Sequence, residues 1–267
     1  MTPIPSAPLR ASPTPSAPSP ALPHREMERE GRPKTLTYRV VTTTIKRLTR
    51  ILCRIDDAQL THVPERGPLI LVVNHVNFLE APIFYTHLHP RPVTGFVKAE
   101  NLKHPFFGPL LFGLWGGIPI RRGEADMAAF RQALAALEEG QILAVAPEGT
   151  RSGDGHLQRG HPGIALLAMR SGAPVLPIVC YGGEHFWNSM RRLRRTNFRI
   201  VVGQPLHLDS GGVKVNRQVR QQMADEVMYQ MAALLPLAYR GAYSDLAAAT
   251  ETYLHFPPGA GSNLRCA

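Results

Sequence analysis

Two patterns alternate along the chain. Short continuous apolar runs bounded by glycine and proline read as buried strands, and stretches with an apolar residue every three or four positions read as helices. The strand-like runs cover residues 69–73, 93–97, 141–146, 174–181 and 198–202. Helical spacing covers 38–55, 78–87, 125–139, 163–171 and 215–235. Over 125–139, Met127, Phe130, Leu134 and Leu137 share a face, and Gly140 is placed to end the helix. Val219, Met223, Val227 and Met231 mark the apolar face of the last helix, and Gly172 closes the one before it. Strands alternating with helices predict an α/β fold: a single domain with a largely parallel mixed sheet flanked by helices. In such sheets ligands sit beyond the carboxyl ends of the strands.

The segment 38–55 differs from the other helices. Val41, Ile45, Leu48, Leu52 and Ile55 fall on one face, Arg39, Lys46, Arg47, Arg50 and Arg54 fall opposite, and no acidic residue interrupts them. A basic amphipathic helix can lie on a membrane surface, or pack on the core with a solvated basic face. Both readings stay open. Residues 1–33 are rich in proline and serine and are expected to be a disordered tail. The domain is expected over 34–238, and 239–267 to be a loose C-terminal tail.

The net charge of +10, from 30 Lys+Arg against 20 Asp+Glu, predicts an anionic partner. Zinc-finger, RNA-recognition and basic-zipper signatures are missing, so no nucleic acid is expected. Cys53, Cys180 and Cys266 lie far apart without ligand spacing, and no histidine pair at i, i+4 is backed by carboxylates. No metal and no cysteine nucleophile are expected. No apolar run reaches the ~18 residues of a membrane span, and the N-terminus lacks a secretory pattern, so the expected location is cytoplasmic.

The candidate chemistry follows the strands. The first run ends at Asn74-His75, and Glu80 comes five positions later. In one continuous helix that spacing would separate the side chains by about 140°. They meet only if His75 occupies the turn before a helix and Glu80 its first turns, which makes a general base with an orienting carboxylate. Arg122 and the segment Pro147-Glu148-Gly149-Thr150-Arg151-Ser152 follow two further apolar segments.

These blocks resemble the glycerolipid acyltransferase family, typified by 1-acylglycerol-3-phosphate acyltransferase. Asn74-His75 with Glu80 matches the family's Asn-His-x4-Asp, with glutamate in place of aspartate. Residues 116–122 (GGIPIRR) match its glycine-apolar-arginine block and put the family's arginine at Arg122. The Pro-Glu-Gly-Thr-Arg-Ser block is intact at 147–152, and 175–179 (VLPIV) matches the fourth block. Four blocks in order over 69–180 are a specific signal.

The resemblance implies an O-acyltransferase that moves a fatty acyl group from acyl-CoA or acyl carrier protein to a lysophospholipid hydroxyl. The default acceptor is 1-acyl-sn-glycerol-3-phosphate, and no cofactor is implied beyond the acyl donor. His75 would be the base and Glu80 its orienting partner. Arg122 and Arg151 would hold the acceptor phosphate, Gly149 would admit a ligand close to the backbone, and Thr150 would add a hydrogen bond. Glu148 would bind an acceptor hydroxyl or organise the arginine loop. Lys98 would reach phosphate or CoA, or remain a solvated lysine, and Asn74 is grouped with the substrate contacts.

The apolar stretch 105–118 is core, the wall of an acyl pocket, or an interfacial segment. The arginines of 191–199 attract a membrane or CoA, or form a solvated turn. The expected setting is peripheral, on the anionic inner face of a membrane. A catalytically silent membrane-binding protein on the same scaffold, and an acyltransferase for another glycerol-phosphate or glycolipid acceptor, remain alternatives. The sequence does not specify the oligomeric state.

Overall fold

A computed structural model describes residues 36–105, 108–121 and 126–265. The sheet is organised around β2 (Leu69–Val73), whose five residues are all buried. Side chains of a strand alternate between the two faces, so an unbroken apolar run is stable only where both faces are covered. β2 pairs in parallel with β5 (Ile142–Val145) on one side and β6 (Val175–Tyr181) on the other. β3 (Val93–Lys98) and β4 (Ile118–Ile120) continue the parallel pairing beyond β5. Beyond β6, β7 (Thr196–Val202) runs antiparallel, and β1 (Cys53–Asp56) pairs in parallel with β7 at the edge. The described residues therefore form a seven-stranded mixed sheet in the order β1-β7-β6-β2-β5-β3-β4.

Two cores lie on its faces. Leu69, Leu71 and Val73 join the core shared with α1 (Leu36–Leu52) and α2 (Glu80–His87). Ile70 and Val72 join the core shared with α3 (Met127–Glu138), α4 (Gly163–Ser171) and α6 (Arg217–Leu234). Capping fixes where two of these helices begin. Asp126 accepts from the Ala129 amide of α3, and Asn216 from the Val219 amide of α6, both at 2.9 Å. Gly172 ends α4 at φ 62°, a left-handed conformation in which other residues are strained.

Four sequence expectations are corrected. The helix expected over 38–55 stops at Leu52, and residues 53–56 form β1 instead. Ile55 continues the helical spacing, but pairing with Phe198 draws its backbone into the sheet. The buried face of α1 also differs from the apolar stripe. Thr42 and Thr49 are its buried residues, whereas Leu48 is exposed. The Thr49 hydroxyl donates to the Lys46 carbonyl at 3.0 Å, so its polar group is satisfied within the helix. Met127 is exposed, while small Ala129, Ala133 and Ala136 bring α3 close to its neighbours.

The fourth correction concerns the C-terminal segment. It is not a loose tail through residue 265: Tyr243, Tyr253, Leu254, Ser262 and Asn263 are buried. Two polar residues buried on α6 hold it. Glu226 accepts from the Thr250 hydroxyl at 2.7 Å and from the Thr252 and Tyr253 amides at 3.0 and 2.9 Å. Gln230 accepts from the Asn263 amide at 2.8 Å and donates to Glu251 at 2.8 Å and Ser262 at 3.0 Å. A short ladder, β8 (His207–Leu208) with β9 (Leu254–His255), adds backbone pairing.

Candidate active site

The register places Val72 beside Val145 and Val73 beside Ile178, so β2 and β5 end at one edge while β6 runs on to Tyr181. His75 leaves this edge in the turn before α2, and Glu80 is the first residue of α2. Their spacing therefore spans a turn rather than a helix. His75 Nδ1 lies 3.0 Å from Glu80 Oε2, the glutamate is buried, and the imidazole is partly exposed. The Asn77 amide donates to both Glu80 oxygens at 3.1 Å, fixing the carboxylate from the other side. A carboxylate accepting from Nδ1–H leaves Nε2 with a free lone pair, the tautomer of a general base.

Glu148 ties the histidine turn to the chain beyond the arginine loop. Its Oε1 accepts from the His75 amide and its Oε2 from the Gln158 amide, each at 2.9 Å. Burial raises its carboxyl above the usual carboxylate range, and the two amide donors pull it back down. In return the His75 carbonyl accepts from the Ser152 amide at 2.8 Å, and the Val76 carbonyl from the Gly153 amide at 3.0 Å. The arginine loop and the histidine turn thus form one unit. Gly149 turns that loop at φ 67°, and a Cβ there would lie 3.0 Å from the His161 ring. Thr150 and Arg151 are exposed at its tip.

Asn74, which the sequence groups with the substrate contacts, is engaged by the sheet. Its side chain donates to the Cys180 carbonyl at 2.8 Å and accepts from the Cys180 amide at 2.7 Å, so both polar atoms extend the β2–β6 pairing. Lys98 pairs with Glu100 at 3.2 Å and lines the cavity described next. Arg122 lies outside the described residues. Burial pushes the Cys180 thiol well up and the Cys53 thiol to about 11, so neither supplies a thiolate near neutral pH.

Beside His75 a cavity of about 250 Å³ opens against the α2 face of the sheet, with Val73, Phe84, Val93, Phe96 and Leu111 among its walls. Leu111 comes from a π-helical turn at Pro109–Leu114 inside the apolar stretch 105–118, while Trp115 in the same stretch is core, stacked on Tyr85 at 4.6 Å. The stretch therefore supplies both a pocket wall and core.

Sequence reasoning missed Asn77. Its Oδ1 accepts from the Leu79 amide at 2.8 Å and its Nδ2 donates to the Gly183 carbonyl at 2.7 Å, tying the dyad turn to the end of β6. An asparagine shortly before a helical carboxylate is the signal that would have found it. Tyr239 was missed as well, because it lies in the expected tail. Its hydroxyl donates to buried Glu184 at 2.6 Å beside Gly155 in the arginine loop.

Fold and dyad together define an α/β protein in which a histidine paired with a buried carboxylate stands beside a cavity with apolar walls. Similarity to known proteins makes that class specific. A family model described as Acyltransferase matches residues 54–181 of this protein. It is an O-acyltransferase. A 1-acyl-sn-glycerol-3-phosphate acyltransferase of Pseudomonas aeruginosa is 27% identical over 198 residues, 72% of this chain and 76% of the relative. One from Limnanthes alba is 31% identical over 142 residues, and the match spans 52% of this chain and 47% of that protein's length. The crystal structure of the 1-acyl-sn-glycerophosphate (LPA) acyltransferase PlsC from Thermotoga maritima shares the fold, with TM-score 0.51 and 22% identity over 71% of this chain and 76% of that one.

Proposed function

We propose that this protein transfers an acyl group from an acyl thioester to the free hydroxyl of 1-acyl-sn-glycerol-3-phosphate, a step of phosphatidic acid biosynthesis. The observation that carries the reading is the 3.0 Å contact of His75 with buried Glu80 at the mouth of the apolar cavity. His75 Nε2 takes the hydroxyl proton as the oxygen attacks the thioester carbonyl. The tetrahedral adduct collapses with cleavage of the C–S bond, and the imidazolium returns the proton to the departing thiolate. Ester and free thiol are the products, and no acyl-enzyme intervenes. Glu80 holds the tautomer and stabilises the imidazolium. Arg151 receives the acceptor phosphate, a geometry that guanidinium groups match, and the resemblance adds Arg122 to the same task. The acyl chain occupies the cavity walled by Phe84, Phe96 and Leu111. The donor is acyl-CoA or acyl carrier protein, with no further cofactor.

Among the described residues no helix is long and apolar enough to cross a membrane. We place the protein at the cytoplasmic surface of a bilayer, where a lipid acceptor resides.

The test is thiol release by purified protein from oleoyl-CoA and from an acyl carrier protein donor, with lysophosphatidic acid, glycerol-3-phosphate and a lysolipid lacking a terminal phosphate as acceptors. The reading predicts release that requires lysophosphatidic acid. Release without any acceptor would make the protein a thioesterase, and release only with another acceptor would replace the substrate.

A further inference from the structure

Large apolar side chains stand exposed on one stretch of surface next to the dyad. Leu48 and Ile51 project from α1, opposite its packed face, with Ile51 67% exposed. A short helix, α5 (Phe186–Arg191), and the turn after it add Trp187 at 58%, Met190 at 36% and Leu193 at 96%. These groups are contiguous: Ile51, Phe186, Met190 and Leu193 line one shallow cavity, and Trp187 packs on Phe186 with ring centres 5.2 Å apart. Phe78 extends the patch toward the site, 5.7 Å from Trp187 and three residues beyond His75.

Leu193 is the telling residue. It is the one non-glycine residue of positive φ among the described residues, at 50°, and it holds a leucine almost wholly in water. A left-handed leucine is strained, and exposed apolar area in contiguous patches marks an interaction surface.

Charge identifies the partner. Residues 186–195 carry Arg191, Arg192, Arg194 and Arg195 and no acidic residue, and α1 adds Arg47 and Arg50. Of the nearby acids, Asp57 is taken by Arg50 at 2.8 Å and His87 at 2.7 Å, and Asp56 faces the arginine-lined cleft of Arg54, Arg195 and Arg199. A second copy docking through this face would set arginine against arginine, since a two-fold contact joins a patch to itself. An anionic bilayer offers hydrocarbon to the leucine, tryptophan and isoleucine, and phosphate to the surrounding arginines.

We propose that the outer side of α1 and the α5 turn together form a docking surface for an anionic lipid bilayer, with Leu193, Trp187 and Ile51 as its inserting side chains. Docked this way, Phe78 and the opening beside His75 face the lipid from which an acceptor enters. That consequence rests on the proposed function; the docking itself does not.

Trp187 supplies the probe, because the protein has two tryptophans and Trp115 is buried. Full-length protein is titrated with phosphatidylglycerol–phosphatidylcholine vesicles and with pure phosphatidylcholine vesicles. We expect a blue shift with the anionic vesicles, quenching by acyl-chain-brominated lipid, and loss of both signals in Trp187→Phe. Met190→Asp with Leu193→Asp should weaken vesicle binding at least tenfold while circular dichroism and Tm stay unchanged. It should leave turnover of a water-soluble short-chain acceptor intact. Unchanged Trp187 emission on saturating vesicles, wild-type vesicle affinity in the double aspartate variant, or a dimer in sedimentation that this variant abolishes would each overturn the proposal. Vesicle binding by a protein that turns over no acceptor would instead sink the functional reading and leave the docking surface standing.

Discussion

Glu80→Asp restores the residue usual in the family, and the structure predicts that it impairs this enzyme. Aspartate is shorter by one methylene, so its carboxylate retracts by about 1.5 Å along the side chain. α2 cannot follow, because Ile83 and Phe84 are buried in the core one turn on. The 3.0 Å contact to His75 Nδ1 would open to about 4.5 Å, beyond hydrogen-bonding range. A hydrogen bond to a charged group is worth about 1.5–3 kcal/mol. If the transition state loses that amount as the imidazolium forms, kcat falls roughly 10- to 150-fold. KM for the acceptor should move little, since both Glu80 oxygens are occupied by His75 and Asn77 rather than by substrate. Steady-state thiol release with separate acceptor and donor titrations reads the split. Glu80→Gln, which keeps the length and removes the charge, should fall into the same range. A Glu80→Asp enzyme within twofold of wild type in kcat, with an unchanged Tm, would refute the claim that this bond orients the base.

Other expectations follow from the same contacts. Glu148→Gln replaces one of two acceptors with a donor that faces a backbone N–H, at a cost of about 1–3 kcal/mol in denaturant unfolding. Because one of those amides belongs to His75, kcat should drop by at least about tenfold as well. Ending the chain after residue 238 strips Glu226 and Gln230 of their partners and uncovers Tyr243, Tyr253 and Leu254. The loss should exceed about 4 kcal/mol, whereas removal of a loose tail would leave the unfolding midpoint in place. Burial holds His87 below the usual histidine range, although its hydrogen bond to Asp57 pulls upward. The unfolded chain then takes a proton at about pH 6.5 that the folded chain refuses, so stability is full above that value and declines as pH falls toward the lower folded pKa. Thermal melts across pH 5–7.5 should show this decline, and His87→Gln should flatten it.

What the sequence made legible was local. β2 could be read because both its faces are buried, and the dyad because its two members lie within one strand-turn-helix. The contacts of Asn74 could not be read, and Glu148 was left between two roles: each is a polar residue whose partners, Cys180 and the amides of His75 and Gln158, are supplied by other parts of the chain. β1 was hidden because its four residues continue the helical spacing of α1 until pairing with β7 straightens them. The inward face of α1 was hidden because threonines, whose hydroxyls can bond within the helix, occupy positions where large apolar residues were expected. The C-terminal segment carries no hydrophobic period. Glu226 and Gln230, two polar positions inside an apolar helix, hold it in place.

The central claim is that His75 is the base for acyl transfer. Its most direct test is the rate of ester formation from oleoyl-CoA and lysophosphatidic acid under single-turnover conditions, in wild type and in His75→Ala. The account predicts acceptor-dependent transfer that falls about 10²- to 10⁴-fold in the variant, with Tm and vesicle binding preserved. Transfer by His75→Ala within a few-fold of wild type would contradict it.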